Sequence, residues 1–255
     1  MFGFEIFKNY LYNVKHTLIL TRGSNTLPIF NNDATLDGKV VLKNIVWKVP
    51  EVKLNNKAER DAVAKLNAKT IRTIDYTKRS DNKFEIPAGV TTHTYKLSVA
   101  GGIEKPRWII IAFQTDRIGT QQQNPAVFDH INLKSASLRL HSEMYPKQPF
   151  KFDFNVNNYS EAYEAMDKFK KEHFGYNSLI GGTQISFANY KQLYPFIVFD
   201  VTRQSDEKTF NSIDVQVNFE FGAAVPADTI AYAIILSDSL YALEADGSEI
   251  RRINK

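Results

Sequence analysis

Hydrophobic and polar residues alternate with a period of two along several parts of the chain. The run Ile213–Phe221 alternates without interruption, which is typical of an antiparallel strand with one buried and one solvated face. Less regular alternation over Lys39–Pro50 and Leu133–Met144 predicts two further strands. The dominant period therefore predicts antiparallel sheet.

Other segments are apolar at consecutive positions, as in strands that are covered on both faces. These segments are Arg107–Phe113, Tyr194–Phe199 and Ile230–Leu236. Further strand candidates are Val14–Thr21, Thr70–Tyr76 and Thr91–Val99. The turn pair Asp246-Gly247, between Leu240–Leu243 and Ile250–Ile253, predicts a closing hairpin.

Two segments have the spacing of helices. Asn56–Asn67 is rich in alanine, and Tyr159–His173 has Asn158 as a candidate cap with Glu161 three residues later. The second segment carries a one-sided apolar stripe formed by Tyr159, Ala162, Tyr163, Met166 and Phe169. This stripe predicts a helix that packs over one end of the sheets, with its lysines in solvent.

The order of these elements predicts the fold class. The 255 residues contain no internal repeat, no low-complexity tract and no Gly/Ser linker. We therefore predict an all-β chain, an antiparallel jelly-roll β-sandwich with helices inserted in long connecting loops. Residues 1–255 are expected to form a single jelly-roll domain.

Composition narrows the possible partners. The chain has no cysteine, which excludes disulfides, thiolate metal sites and a cysteine nucleophile. The 32 basic and 28 acidic residues form a mixed surface, so we predict no specific nucleic-acid binding. No stretch is apolar enough to cross a membrane, and the N-terminus lacks a signal-peptide pattern. We expect a protein that is made inside the cell, is not secreted and has no membrane partner.

Candidate chemistry is absent from the sequence pattern. The five histidines form no His-x-His or His-x-x-x-His pair, which argues against a cupin-like metal enzyme. The sequence has neither a Gly-x-Ser-x-Gly nucleophile motif nor a Walker A phosphate loop. Acidic residues near Asp200 and Asp214 are better explained as solvated charges. We predict no catalytic residue, no metal site, no cofactor and no enzymatic activity.

A series of short motifs follows in a recognisable order. They are Val46–Pro50, Lys105–Arg107, Ile110–Arg117, Phe128–His130, Ser142–Pro146, Tyr194–Asp200, Asp214-Val215, Pro226–Thr229 and Ile250–Ile253. In this order they resemble the major capsid proteins of Polinton/Maverick elements and adintoviruses, which belong to the double jelly-roll lineage. The family protein has two jelly rolls in tandem, and this chain resembles the C-terminal one, opening at Gly3-Phe4-Glu5.

The resemblance implies a structural capsid protein of the virion. It implies self-association into trimeric, pseudo-hexameric capsomers of an icosahedral shell, with a companion jelly-roll domain or a penton-type protein as further partners. An excised fragment or a domesticated copy is also compatible with the single jelly roll. The polar loop Arg117–Val127, which leads into an apolar anchor, is the candidate subunit contact. Its candidate residues are Arg117, Gln121, Gln122, Gln123, Asn124 and Phe128.

A second class of function stays open from the residues alone. Jelly rolls also serve as carbohydrate-binding modules, which need an exposed aromatic platform beside Asp or Asn. Trp108 lies in an apolar run and is expected to be buried, whereas Trp47 lies among alternating residues. Measuring the mass in solution with and without sugars and calcium would separate the two classes.

Overall fold

Nine strands and three helices make up the regular structure of the described residues. The structure is a computed structural model that describes residues 17–23, 29–33, 35, 37–49, 51, 53–68, 71–98, 105–117, 119, 121–175, 184–204, 214–246 and 249–253. The strands are β1 (Ile71–Ile86), β2 (Thr92–Leu97), β3 (Lys105–Thr115), β4 (Leu133–Leu140), β5 (Glu143–Lys151), β6 (Ile197–Asp200), β7 (Val215–Phe221), β8 (Thr229–Asp246) and β9 (Glu249–Ile253). The helices are α1 (Asn56–Asn67), α2 (Ser160–Phe174) and α3 (Phe187–Leu193).

The strand order is that of a jelly roll. One sheet has the order β1-β8-β3-β6, with β9 paired to β8, and the other has the order β2-β7-β4-β5. Along the chain, successive strands alternate between the two sheets except for the pairs β4 and β5, and β8 and β9, which are neighbours within one sheet. Strands β1 to β8, wound in this way, form the two Greek keys of a jelly roll. The predicted fold class is confirmed.

The chain divides into two compact units. The smaller unit comprises Met1–Asn25, Val40–Thr77 and Asp238–Lys255, and the larger unit comprises Thr26–Lys39 and Lys78–Ser237. Strands β1 and β8 contribute residues to both units. The larger unit contains the apolar core described below and the candidate loop.

The core of the larger unit is built from alternating strand residues. In β7, Val215, Val217, Phe219 and Phe221 are buried while the residues between them are partly exposed, as the alternation predicts. Phe113 of β3 meets Phe219 edge to face, with 5.1 Å between ring centroids. Aromatic contacts of this geometry join the two sheets.

Strand β6 is covered on both faces. Ile197, Val198 and Phe199 are each no more than 1% exposed, although adjacent residues of a strand point to opposite sides. One face lies toward the sandwich and helix α2 packs against the strand. The prediction of a buried strand is confirmed for Arg107–Phe113, and for Tyr194–Phe199 it is confirmed only from Ile197 onward, because residues 194–196 precede the strand.

Three strand predictions are wrong in part. Residues 39–49 form no strand, and Thr17–Thr21 form none either, while Val14–His16 lie outside the described residues. Leu133–Met144 is two strands, because His141, with φ of +54°, turns the chain between Leu140 and Glu143. The predicted hairpin is confirmed, since Asp246 pairs with Glu249 across Gly247-Ser248.

Helix α2 begins and ends one residue later than predicted, at Ser160 and Phe174. Its N-cap is Tyr159, with no side-chain cap, and the predicted cap Asn158 instead pairs its backbone with that of Asp153. The predicted apolar stripe is confirmed, with Ala162 and Met166 buried. Phe169 is only partly buried and lies edge to face on Trp108, with ring centroids 5.1 Å apart. Gly175 ends the helix in the left-handed conformation.

Helix α3 has no counterpart in the predictions. It has seven residues, and Ser186 caps it by accepting a hydrogen bond from Asn189 N at 3.1 Å. A helix of this length carries too few residues to establish a period in the sequence. It nevertheless places Tyr190, which is 0% exposed, in the core.

Candidate subunit-contact loop

The loop between β3 and β4 is fixed at its base by Asp129. The backbone of Asp129 pairs with Phe113 of β3, and its Oδ2 accepts a hydrogen bond from Thr115 N at 2.9 Å. Arg117 Nη2 and Nε donate to the two oxygens of the same carboxylate at 2.6 and 3.1 Å. The two side chains are only 15% and 27% exposed, so solvent screens this ion pair weakly.

The first half of the loop is held from the side by Asn31 and Gly38. Gln121 is buried, and its side chain exchanges two hydrogen bonds with the backbone of Gly38, at 3.0 and 2.7 Å. Asn31 N also donates to Gln121 O at 2.8 Å. A Cβ on Gly38 would lie 2.9 Å from Ile29 Cδ1, so a larger residue at this position would displace the end of the Ile29 side chain.

The second half of the loop is held from β3 and α3. The buried Gln114 donates to the carbonyls of Pro125 and Val127, at 2.8 and 3.0 Å. Phe128 N donates to Leu193 O at 2.9 Å, and its ring lies edge to face on Phe196 at 5.0 Å. The apolar anchor expected from the sequence is therefore seated within its own chain.

The solvent-facing part of the loop is residues 122–126, which we call the loop ridge. Gln123, Pro125 and Ala126 are exposed, whereas Gln122 and Asn124 are half-buried. Asn124 Oδ1 accepts from Ala126 N at 2.9 Å, which fixes a local turn. Because its backbone is held at both sides, the loop ridge is a preorganised polar surface.

The six candidate residues therefore divide into two groups. The structure uses Arg117, Gln121 and Phe128 to position the loop, and it brings Arg117 Nη1 within 3.4 Å of Asn124 O. Gln122, Gln123 and Asn124 are the residues left at the surface. Sequence reasoning missed Asp129 and Gln114. Gln114 is the polar residue that directly follows the apolar run of β3, and this position is the sequence signal that could have identified it.

His130 follows Asp129 at the loop base and stacks on Phe154, with ring centroids 4.3 Å apart. Its Nδ1 accepts a hydrogen bond from Asn132 N at 3.1 Å, which requires that nitrogen to carry no proton. Burial lowers the pKa of His130, and Lys191 lowers it further, while the Asp129 carboxylate opposes both. The neutral ring is therefore the form that suits the folded chain.

We expect the free energy of unfolding to fall as the pH drops from about 7 to 5. The pKa values of His93, His130 and His173 all lie below the ordinary 6.5, with burial as the first cause, so the unfolded chain binds protons more readily. This stability is complete above pH 6.5 and declines below it. Urea titrations at several pH values measure the effect.

His130→Gln is the matched variant for this pH dependence. It removes one of the three histidines, so its free energy of unfolding should fall less steeply between pH 7 and 5 than that of the wild type. Equal stability of the wild type at both pH values would contradict the prediction.

Within the described ranges, no three or more His, Asp or Glu side chains come close enough together to hold a metal ion. Among the same residues, no helix combines the length and the apolar character needed to span a bilayer. The described residues form a jelly roll, and hydrogen bonds hold its polar loop in place.

Comparison with known families decides the classification. The sequence matches the double jelly roll-like domain over residues 1–241. The chain belongs to this family. Membership in the double jelly roll-like family agrees with the resemblance carried by the sequence motifs and with the strand order of the two sheets.

Solved structures similar to this member of the family come from viruses and virophages. A cryo-EM structure of the Sputnik virophage matches with a TM-score of 0.42 and 15% identity, over 71% of this chain and 38% of that chain. The crystal structure of the mavirus major capsid protein matches with a TM-score of 0.36 and 13% identity, over 71% of this chain and 41% of that chain. The chain thus spans about two fifths of their length. Comparison with curated proteins gives no match.

Proposed function

We propose that this chain is a structural capsid subunit that assembles with copies of itself into the shell of a virion. The observation that carries the proposal is the pair of strand orders β1-β8-β3-β6 and β2-β7-β4-β5 in a member of the double jelly roll-like family. The buried strands and the aromatic contacts between the sheets give the larger unit a well-packed core, which a shell subunit needs. The 255 residues act as one jelly-roll subunit in this proposal.

The contact we propose is the loop ridge. Its backbone is fixed by Gln114 on one side and by Gln121 on the other, so little conformational entropy is lost when a neighbour binds. In a trimer, each subunit presents two different patches that close into a ring. The polar ridge supplies hydrogen bonds to one of these patches, and the capsomer so formed has a pseudo-hexagonal outline.

Further partners follow from the same proposal. A single jelly roll buries less area between subunits than a tandem pair, so assembly is expected to depend on concentration or on a companion jelly-roll domain. A penton-type protein would fill the fivefold positions of the shell. The protein is made inside the cell and ends in the virion.

We expect the mass measured by sedimentation to rise with protein concentration, and Gln123→Lys to weaken this association. Gln123 is exposed at the centre of the loop ridge, so an added charge disturbs the contact without disturbing the fold. Asn155→Lys, at an exposed turn between β5 and α2, is the matched control and should associate as the wild type does.

A carbohydrate-binding module is the competing function, because Trp47 is 50% exposed and could serve as an aromatic platform. The capsid proposal would be overturned if the protein stayed monomeric at every concentration and did not bind a companion jelly-roll domain. Mass changes caused by sugars and calcium would then support the binding module.

A further inference from the structure

One segment of the chain has the composition of a strand but no strand partner. Residues 40–49, here called the apolar arm, contain five β-branched residues and no proline. Six large apolar side chains of the arm are at least half exposed: Val41, Leu42, Ile45, Val46, Trp47 and Val49. They belong to both parities, so both faces of the extended segment are uncovered. A cluster of exposed apolar side chains of this kind marks an interaction site.

The backbone of the apolar arm is equally unpaired. The carbonyl of Val40 accepts a hydrogen bond from the guanidinium of Arg22. In the described part of the chain, residues 41–49 make no backbone hydrogen bond. Among the described residues, nothing covers the exposed side chains of the arm or pairs the N–H and C=O groups of residues 41–49.

Strand β2 is an edge strand, and it has the backbone groups that a strand such as the arm could pair with. Phe221 N donates to Thr91 O, so in this antiparallel pair the odd-numbered residues of β2 direct their backbone groups toward β7. Thr92, Thr94 and Lys96 consequently direct their N–H and C=O groups away from the sheet. No described residue pairs with these six groups.

Ser98 confirms this parity. It is the next even-numbered residue, and both of its backbone groups bond to the side chain of Asn82, at 3.0 and 3.1 Å. The outward groups of an even-numbered residue thus take a partner where one is within reach. In the described chain, no side chain bonds the outward backbone groups of Thr92, Thr94 and Lys96 in this way.

The other edge strands carry features that discourage pairing. Strand β5 contains Pro146 and Pro149, β6 has only four residues, and β9 carries Arg251 and Arg252. Strand β1 has a run of charged residues between Lys78 and Glu85. Prolines, short length and charge are the usual protections of a sheet edge, and β2 has no proline and one charge.

We propose that the apolar arm of one copy adds as a strand to the free edge of β2 in a second copy. Each supplies what the other lacks, because the arm has exposed apolar strand-forming residues and the edge of β2 has backbone groups that no described residue pairs. The arm, at ten residues, is longer than the six residues of β2. The proposal rests on the self-association proposed above and gives it a second contact, distinct from the loop ridge.

The contact is heterologous, because each copy offers one arm and receives another. Repetition of such a contact around a ring closes a trimer. Strand addition supplies backbone hydrogen bonds, and the apolar side chains of the arm become covered on the receiving sheet.

Two variants test the two sides of the contact by sedimentation of the full chain. Ile45→Glu/Val46→Glu places a charge on each face of the arm, and Lys48→Glu is its control. Thr94→Pro removes an outward N–H and keeps the backbone hydrogen bonds to β7. Thr94→Val is its control, because both variants lose the side-chain bond from Thr94 Oγ1 to Asn218 Oδ1. Thr92→Pro serves if Thr94→Pro unfolds. The arm variant should raise the apparent Kd for self-association about a hundredfold, because each of its two covered aliphatic side chains contributes roughly a tenfold factor. The edge variant should raise it at least about tenfold, the factor that corresponds to one lost hydrogen bond.

Mixing the arm variant with the edge variant is the decisive measurement. The intact arm of one then meets the intact edge of the other, so the mixture should form a dimer at a protein concentration where neither variant associates alone. A mixture that stays monomeric would overturn the proposal, and so would variants that associate as the wild type does. In the latter case self-association itself stands, whereas a strictly monomeric wild type would overturn both proposals.

Discussion

Replacing Tyr190 with alanine is expected to lower the free energy of unfolding by about 4 kcal/mol, near the upper range for removal of a buried ring. The side chain is 0% exposed, and its ring lies 5.5 Å from that of Tyr159 and 5.6 Å from that of Tyr163. Its hydroxyl donates to Phe196 O at 2.7 Å. The substitution therefore leaves a cavity between α2 and α3 and also an unpaired carbonyl.

Tyr190→Phe separates these two effects. It keeps the ring and removes only the hydroxyl, so the expected loss is about 1 kcal/mol, the usual net value of one hydrogen bond. Urea denaturation of both variants measures the difference. A loss for Tyr190→Ala no larger than that for Tyr190→Phe would contradict the burial of this ring.

Replacing Arg117 with alanine is expected to cost about 2–3 kcal/mol, because it leaves the Asp129 carboxylate partly buried without its cation. The value is set below that of a fully buried pair, since the two side chains are 15% and 27% exposed. The same change should weaken self-association, because the ion pair fixes the base of the loop ridge.

Arg79→Ala is the matched control for Arg117→Ala. Arg79 also bonds a carboxylate, that of Asp81 at 2.9 Å, but the two side chains are 62% and 69% exposed. An exposed pair contributes at most about 1 kcal/mol. Chemical denaturation compares the two variants, and equal losses would mean that burial does not strengthen the Arg117–Asp129 pair.

The sequence predicted the strands well where neighbours cover one face of a regular pattern. Strand β7 is the clearest case, because its alternating residues lie against the opposite sheet along its whole length. Residues 39–49 have a similar pattern and no strand. Alternation reports which side chains suit a half-buried strand, but the presence of a pairing strand is a property of the rest of the structure.

The candidate loop could be located but not understood from sequence. Its position between two predicted strands was evident, and Gln123 is at the surface as expected. The partners that fix it are distant in the chain: Gln121 bonds Gly38, 83 residues away. A polar residue that satisfies a remote backbone group has the same local sequence signature as one in solvent. For this reason the sequence pattern places Gln121 among the candidate contact residues, although its side chain holds the loop in position.

The strand order also has a consequence for how the protein is made. Strand β8 lies between β1 and β3 in its sheet, although more than a hundred residues separate it from either one along the chain. During synthesis at the ribosome, β1 and β3 therefore emerge long before the strand that joins them, and non-local pairing of this kind folds slowly. A nascent or truncated chain lacking β8 cannot complete this sheet. Only chains translated through β8 would then offer a finished surface to their neighbours, which keeps unfinished products out of any larger particle.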